Sequence, residues 1–124
     1  MEKRSYCHYC NEEHIVSETK DSNGNVVGLF CNREKALIKA TTTKWNGVDI
    51  YGDLREFARR NVDLVAVNRI NPEKVEGLSR KMAYLFLQTP EAKESSLNYY
   101  FAVYHMTRVI VNLRSELRAK RVGL

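Results

Sequence analysis

The chain has 124 residues, 44% of them hydrophobic and 28% charged, with 20 Lys and Arg against 15 Asp and Glu for a net charge of +5. That is enough chain for one compact domain, too apolar for a disordered one, and it lacks the roughly 20-residue apolar run of a membrane-spanning helix. Moderate positive charge fits a nucleic-acid or acidic-protein partner, and three cysteines, an odd number, argue against a closed disulfide framework.

Met1-Glu2-Lys3-Arg4-Ser5-Tyr6 leads into the first cysteine with no apolar leader, so a cytoplasmic location is the expectation. Cys7-His8-Tyr9-Cys10 reads as a tight knuckle. Residues 14–19 and 26–30 are β-branched and aromatic, and Asp21-Ser22-Asn23-Gly24-Asn25 between them carries the Asn-Gly hairpin signal. If residues 21–24 form the loop, His14 pairs with Cys31. If Asn23-Gly24 alone form it, Cys31 faces Val16 and His14 lies diagonally on the same face. Parity brings His14 and Cys31 within about 5–8 Å in either register.

This arrangement has the chemistry of a zinc site. A C-x-x-C turn offers two thiolates to one point, Cys31 supplies a third, and zinc takes four ligands at tetrahedral angles. His14 is the first choice for the fourth. Glu34 is the rival, three residues past Cys31 where a second C-x-x-C would place its partner, and His8 inside the knuckle is third. The βαβ frame expected around a redox C-x-x-C is missing from the pattern. Residues 32–40 read as one or two helical turns.

The residues that carry a family resemblance are Cys7-His8-Tyr9-Cys10, the turn at Asn23-Gly24, and Phe30-Cys31-Asn32-Arg33-Glu34-Lys35-Ala36-Leu37. Over residues 5–40 the chain resembles a zinc finger of the treble-clef or zinc-ribbon type, which implies a structural Zn2+ and a short helix after the third cysteine. It departs from that pattern at Glu34, where such fingers carry Cys or His.

Residues 41–47 read as a linker, with Trp45 plugging the join between a zinc-binding knuckle and hairpin (1–44) and a helical unit (45–124) packed with it as one protein. Asp53 is placed to cap a helix through Leu54, Phe57 and Ala58, ending near Asn61. Residues 62–70 are ambiguous between a short helix and extended chain. Asn71-Pro72 starts a helix whose apolar face is Val75, Leu78, Met82 and Leu85. Thr89-Pro90 starts the last one, expected over residues 90–121. Along it Tyr99, Val103, Met106, Ile110, Leu113 and Leu117 form a seam at alternating spacings of about 3 and 4, and Tyr100, Tyr104 and Val111 form a second stripe. The expected fold is α+β, mostly α: a knuckle and hairpin, then helices ending in a long one.

Nothing in the pattern names a reaction. Treble-clef nucleases need histidines on the segment after the third cysteine, and residues 32–45 have none. The His-x-Glu and Pro-Cys-x-x-Cys pair of a zinc deaminase, a Gly-rich phosphate loop and Gly-x-Ser-x-Gly are all missing. His105 sits on an apolar helix and reads as a packed histidine rather than a base. A non-enzymatic protein is expected, with two candidate roles. One is a nucleic-acid-binding regulator in transcription or another genome-related process, using Arg55, Arg59, Arg114, Arg118, Lys120 and Arg121 against phosphates. Cations in a last helical turn are also favoured by the helix dipole alone. The other is an adaptor or inhibitor docking on a larger enzyme through Tyr84, Tyr99, Tyr100 and Tyr104. The long seam also suggests a homodimer through residues 90–121.

Overall fold

The computed structural model describes residues 3–122, with side chains as far as Lys120. Four strands come first, β1 (Lys3–Cys7), β2 (Glu12–Lys20), β3 (Val26–Cys31) and β4 (Ala36–Ala40), in an antiparallel sheet of order β1-β2-β3-β4. The β2–β3 loop spans residues 21–25, closed by the Asp21 N–H on the Asn25 carbonyl (2.9 Å) and the Gly24 N–H on the Asp21 carbonyl (3.1 Å). A slip beside Val27 restores the register of the shorter loop: Ser17 faces Phe30 and Glu18 faces Leu29, which brings Cys31 opposite Val16. Gly28 is required where β3 meets β4, because a Cβ there would stand 2.6 Å from the Lys39 carbonyl oxygen.

The helical turns expected at residues 32–40 are a correction. Asn32 to Lys35 form a tight turn with Lys35 at φ 53°, and β4 pairs with β3. Leu37 and Ile38 are neighbours buried in two different clusters, Leu37 with the helices and Ile38 with Cys7 and Cys31. A strand sends successive side chains to opposite faces as that requires, and it also satisfies the backbone groups of β3.

The presumed linker is also ordered. Strands β5 (Lys44–Trp45) and β6 (Val48–Asp49) form a small hairpin whose turn, Asn46-Gly47, has positive φ at both residues (53° and 82°). Trp45 is buried, with its ring 5.3 Å from Phe101, and its indole N–H donates to the Ser95 carbonyl at 2.8 Å. The same carbonyl accepts from Ser22 Oγ (3.0 Å) and Asn46 Nδ2 (3.2 Å). Nearby, the Asp21 carboxylate accepts from the N–H groups of Asn23, Asn25 and Asn46. These bonds pull Asp21 below the usual carboxylate range against the opposing effect of burial.

The first helix, α1 (Ile50–Asn61), begins earlier than expected because Asp49, not Asp53, caps it; its carboxylate accepts from the Tyr51 N–H at 3.0 Å. Asp63 caps a short α2 (Leu64–Arg69) in the ambiguous stretch. A 3-10 turn at Pro72–Lys74 leads into α3 (Val75–Leu87). On α3, Ser79 and Ala83 join Val75 and Met82 in the core, whereas Leu85 is exposed.

The long helix expected over residues 90–121 is interrupted. Helix α4 (Pro90–Glu94), capped by Thr89, stops at Ser95; Ser96 adopts φ 53°, and α5 (Tyr99–Val122) restarts with Asn98 Oδ1 accepting from the Phe101 N–H at 3.0 Å. Met106, Ile110 and Leu113 of the expected seam are buried within the one chain, beside Phe101, Ala102 and Val109, against α1, α2, α3 and β4. They are thus not presented to a second copy. Val27 and Leu37 of the sheet belong to this same core. Among the described residues no helix is long and apolar enough to cross a membrane.

Candidate metal centre

Cys7 ends β1, Cys10 closes the knuckle, His14 lies on β2 and Cys31 ends β3. Their ligand atoms all lie within 4.8 Å of one another. Cys10 Sγ and Cys31 Sγ are 3.8 Å apart, and Cys31 Sγ is 3.7 Å from His14 Nε2. Two sulfurs about 2.3 Å from a tetrahedral zinc stand about 3.8 Å apart, and a sulfur and an imidazole nitrogen about 3.6 Å. The Cys10–Cys31 and Cys31–His14 separations match such an ion, the other pairs reach no further than 4.8 Å, and all three cysteines are free. Cys7, Cys31 and His14 are buried and Cys10 is half-buried.

Local structure explains the convergence. The Asn11 N–H bonds the Cys7 carbonyl at 2.8 Å and Asn11 takes φ 55°, folding the C-x-x-C back on itself. The turn after Cys31 places the Glu34 N–H on Cys31 Sγ at 3.4 Å. Burial opposes ionisation of the Cys7 thiol, but hydrogen bonds from His14, from the Cys10 and Tyr9 backbone and from Cys31 bring it down to about 7. Burial and the adjoining Cys31 and Cys7 push Cys10 up to about 11.

His14 Nδ1 lies 2.8 Å from the Ile15 carbonyl oxygen, and Nε2 faces Cys31 Sγ at 3.7 Å, where a metal would take it. The rivals stand apart. Glu34 contributes its backbone N–H while its side chain is exposed, and His8 is exposed with its ring 4.1 Å from that of Tyr9. The His14 orientation could not be read from spacing, since it depends on a bond to the next residue's carbonyl.

The basic residues sort differently. Arg114 Nε donates to the Ile70 carbonyl at 3.1 Å and Arg118 Nε to that of Asn68 at 3.4 Å, both at the C-terminal end of α2. Arg55 pairs with Glu116 at 2.8 Å. Arg59 and Lys120 are exposed and border one cleft with Arg55 between α1 and α5. The Arg121 side chain lies outside the described residues.

A larger concavity of about 610 Å³ was not foreseen. It runs between the two metal-side turns and the α3–α5 surface, with Tyr9, Tyr99, Tyr100 and Tyr104 as its aromatic walls. Lys35, Arg80 and Arg108 border it, as do Glu34 and Glu76. The signal available in the sequence was the tyrosine run on the last helix, but only the docking of the knuckle against it makes a groove. Compared with models of known protein families, with curated proteins and with solved structures, the chain matches none.

Proposed function

We propose that the chain is a small zinc protein without catalytic activity that acts by binding nucleic acid, in transcription or another genome-related process. The zinc assignment rests on one observation, the convergence of Cys7, Cys10, His14 and Cys31, whose ligand atoms all lie within 4.8 Å of one another. Three thiolates and an imidazole suit Zn2+ far better than oxygen-seeking cations. Four protein ligands leave no position for a substrate or an activated water, which supports a structural role. The zinc would hold the outer end of the sheet, and the chemistry of function then lies on the surfaces that the sheet and helices present.

The nucleic-acid reading is supported by the net charge of +5 and by exposed or groove-lining cations on more than one element: Lys35, Arg59, Arg80, Arg108 and Lys120. Titration of labelled DNA and RNA across salt concentrations is expected to give a slope of several phosphates, and elemental analysis about one zinc per chain. A flat salt response or metal-free protein isolated without chelator would each remove its part of the reading. Tyr84 and Leu85, adjacent on α3 and exposed by 60% and 39%, favour the adaptor role as the second reading. That role gains if no nucleic acid binds at low salt.

A further inference from the structure

The groove between the metal-side turns and the α3–α5 surface has the features of a single-strand site. Its rings are held by neighbours rather than loose. The Tyr9 hydroxyl donates to the Leu37 carbonyl at 3.2 Å, and Tyr100 lies 4.8 Å from Phe30 and 5.3 Å from Tyr99. Tyr104 packs edge-on against the buried His105 ring at 5.3 Å. Tyr9 is 44% exposed and the other three are half-buried, so each offers surface to a ligand while one side is anchored. Flat faces fixed in advance lose little entropy on binding.

The surrounding charges are mixed. Lys35, Arg80 and Arg108 outnumber Glu34 and Glu76, leaving the lining with a small positive excess. Glu76 already engages Arg80 at 2.7 Å. A site with four aromatic rings and a small net charge gains more from stacking than from phosphate neutralisation. A duplex keeps its base faces inside its own stack and meets proteins largely through its backbone, whereas a single strand presents bare bases to aromatic side chains. The volume of about 610 Å³ is that of a pocket for small planar ligands.

From these features we infer that this groove is the nucleic-acid site, and that it takes unpaired bases of a single strand, stacked on Tyr99, Tyr100 and Tyr104, with the backbone passing Lys35, Arg80 and Arg108. The inference rests on the nucleic-acid reading above and narrows it to one strand type and one surface.

The test uses the zinc-loaded full chain and a single strand of roughly ten nucleotides, a length within the range of known single-strand sites, carrying a fluorescent base analogue. The matched duplex is measured beside it. The single strand should bind at least tenfold more tightly and with the shallower salt slope. Tyr99→Leu and Tyr104→Leu keep apolar bulk but remove the π-face, and each should weaken binding by roughly five- to 150-fold. Tyr104→Phe keeps the face and should stay within about twofold of the parent. Its retention shows that the leucine losses come from stacking, with circular dichroism and zinc content confirming the fold. Arg60→Ala, exposed on α1 and outside the groove lining, should leave single-strand affinity unchanged. Equal affinity for strand and duplex, with leucine variants unaffected, would overturn the groove assignment while leaving nucleic-acid binding intact. No binding of either form at low salt would overturn both.

Discussion

Removing the metal should dissolve one end of the molecule and spare the other. The buried residues form two clusters. The outer one holds Cys7, Cys31, Val16, Leu29 and Ile38, whereas the main one has eighteen members, only two of which, Val27 and Leu37, come from the four-stranded sheet. Burial of Val16, Leu29 and Ile38 is worth about 1.5–3 kcal/mol each, so less than about 10 kcal/mol together. Zinc binding in small structural sites supplies about 10–16 kcal/mol, at least as much as all the apolar burial at that end. Ordering β1 and β2 costs on the order of 1–2 kcal/mol per residue, which the aliphatic trio cannot offset without the metal. Backbone hydrogen exchange with and without a strong chelator checks this. Amides of β1 and β2 should lose protection by orders of magnitude while those of α3 and α5 hold. Protection lost in parallel across sheet and helices would refute the division into two clusters. An unchanged sheet would refute the metal's role in holding it.

Two further predictions concern packed positions. His105 is buried, with Nε2 on the Thr42 carbonyl at 2.9 Å and Arg108 on Nδ1 at 3.2 Å; burial chiefly, and Arg108 secondarily, lower its pKa while Thr42 and Asp49 oppose. Its folded pKa lies below the ordinary value of about 6.5 that it has when unfolded, so its contribution is complete above that pH and declines as acid protonates the unfolded chain. Urea midpoints at pH 7.5 and 5.5 should fall more for the parent than for His105→Gln, and equal falls would rule the histidine out. Gly28→Ala places a methyl 2.6 Å from the Lys39 carbonyl oxygen, a backbone atom that cannot turn aside. A cost of about 1–3 kcal/mol, read as a melting temperature lower by roughly 5 °C or more, is expected; an unchanged melting curve would show that β3 and β4 can part there freely.

The clustering of the candidate metal ligands was legible because side chains alternate strictly along a strand. His14 and Cys31 share a face in both registers weighed from the sequence; the observed loop, which pairs Lys20 with Val26, would by itself have turned Cys31 to the other face, and the slip beside Val27 restores the parity. Residues 32–40 were misread because Arg33-Glu34-Lys35-Ala36-Leu37 has helical propensity. The open edge of β3 and the two-sided burial of Leu37 and Ile38 override it, and neither is visible locally. The break at residues 95–98 was missed for a similar reason. The apolar spacing of 4 and 3 continues through the core half of α5, while the stop signal is only a pair of serines, with Ser96 at φ 53°, followed by the cap Asn98. The arginines of α5 look alike in sequence, and only the position of α2 separates those that cap its carbonyls from an exposed cation such as Lys120.

The Ser95 carbonyl has a consequence for the order of assembly. Its three donors, Ser22, Trp45 and Asn46, are 73, 50 and 49 residues away along the chain. Contacts of such separation close late, since a long loop must lose its freedom before any of them forms. The hairpins and helices should therefore mature first, and the indole of Trp45, whose environment changes only on docking, should report the slowest phase of refolding in a stopped-flow fluorescence trace.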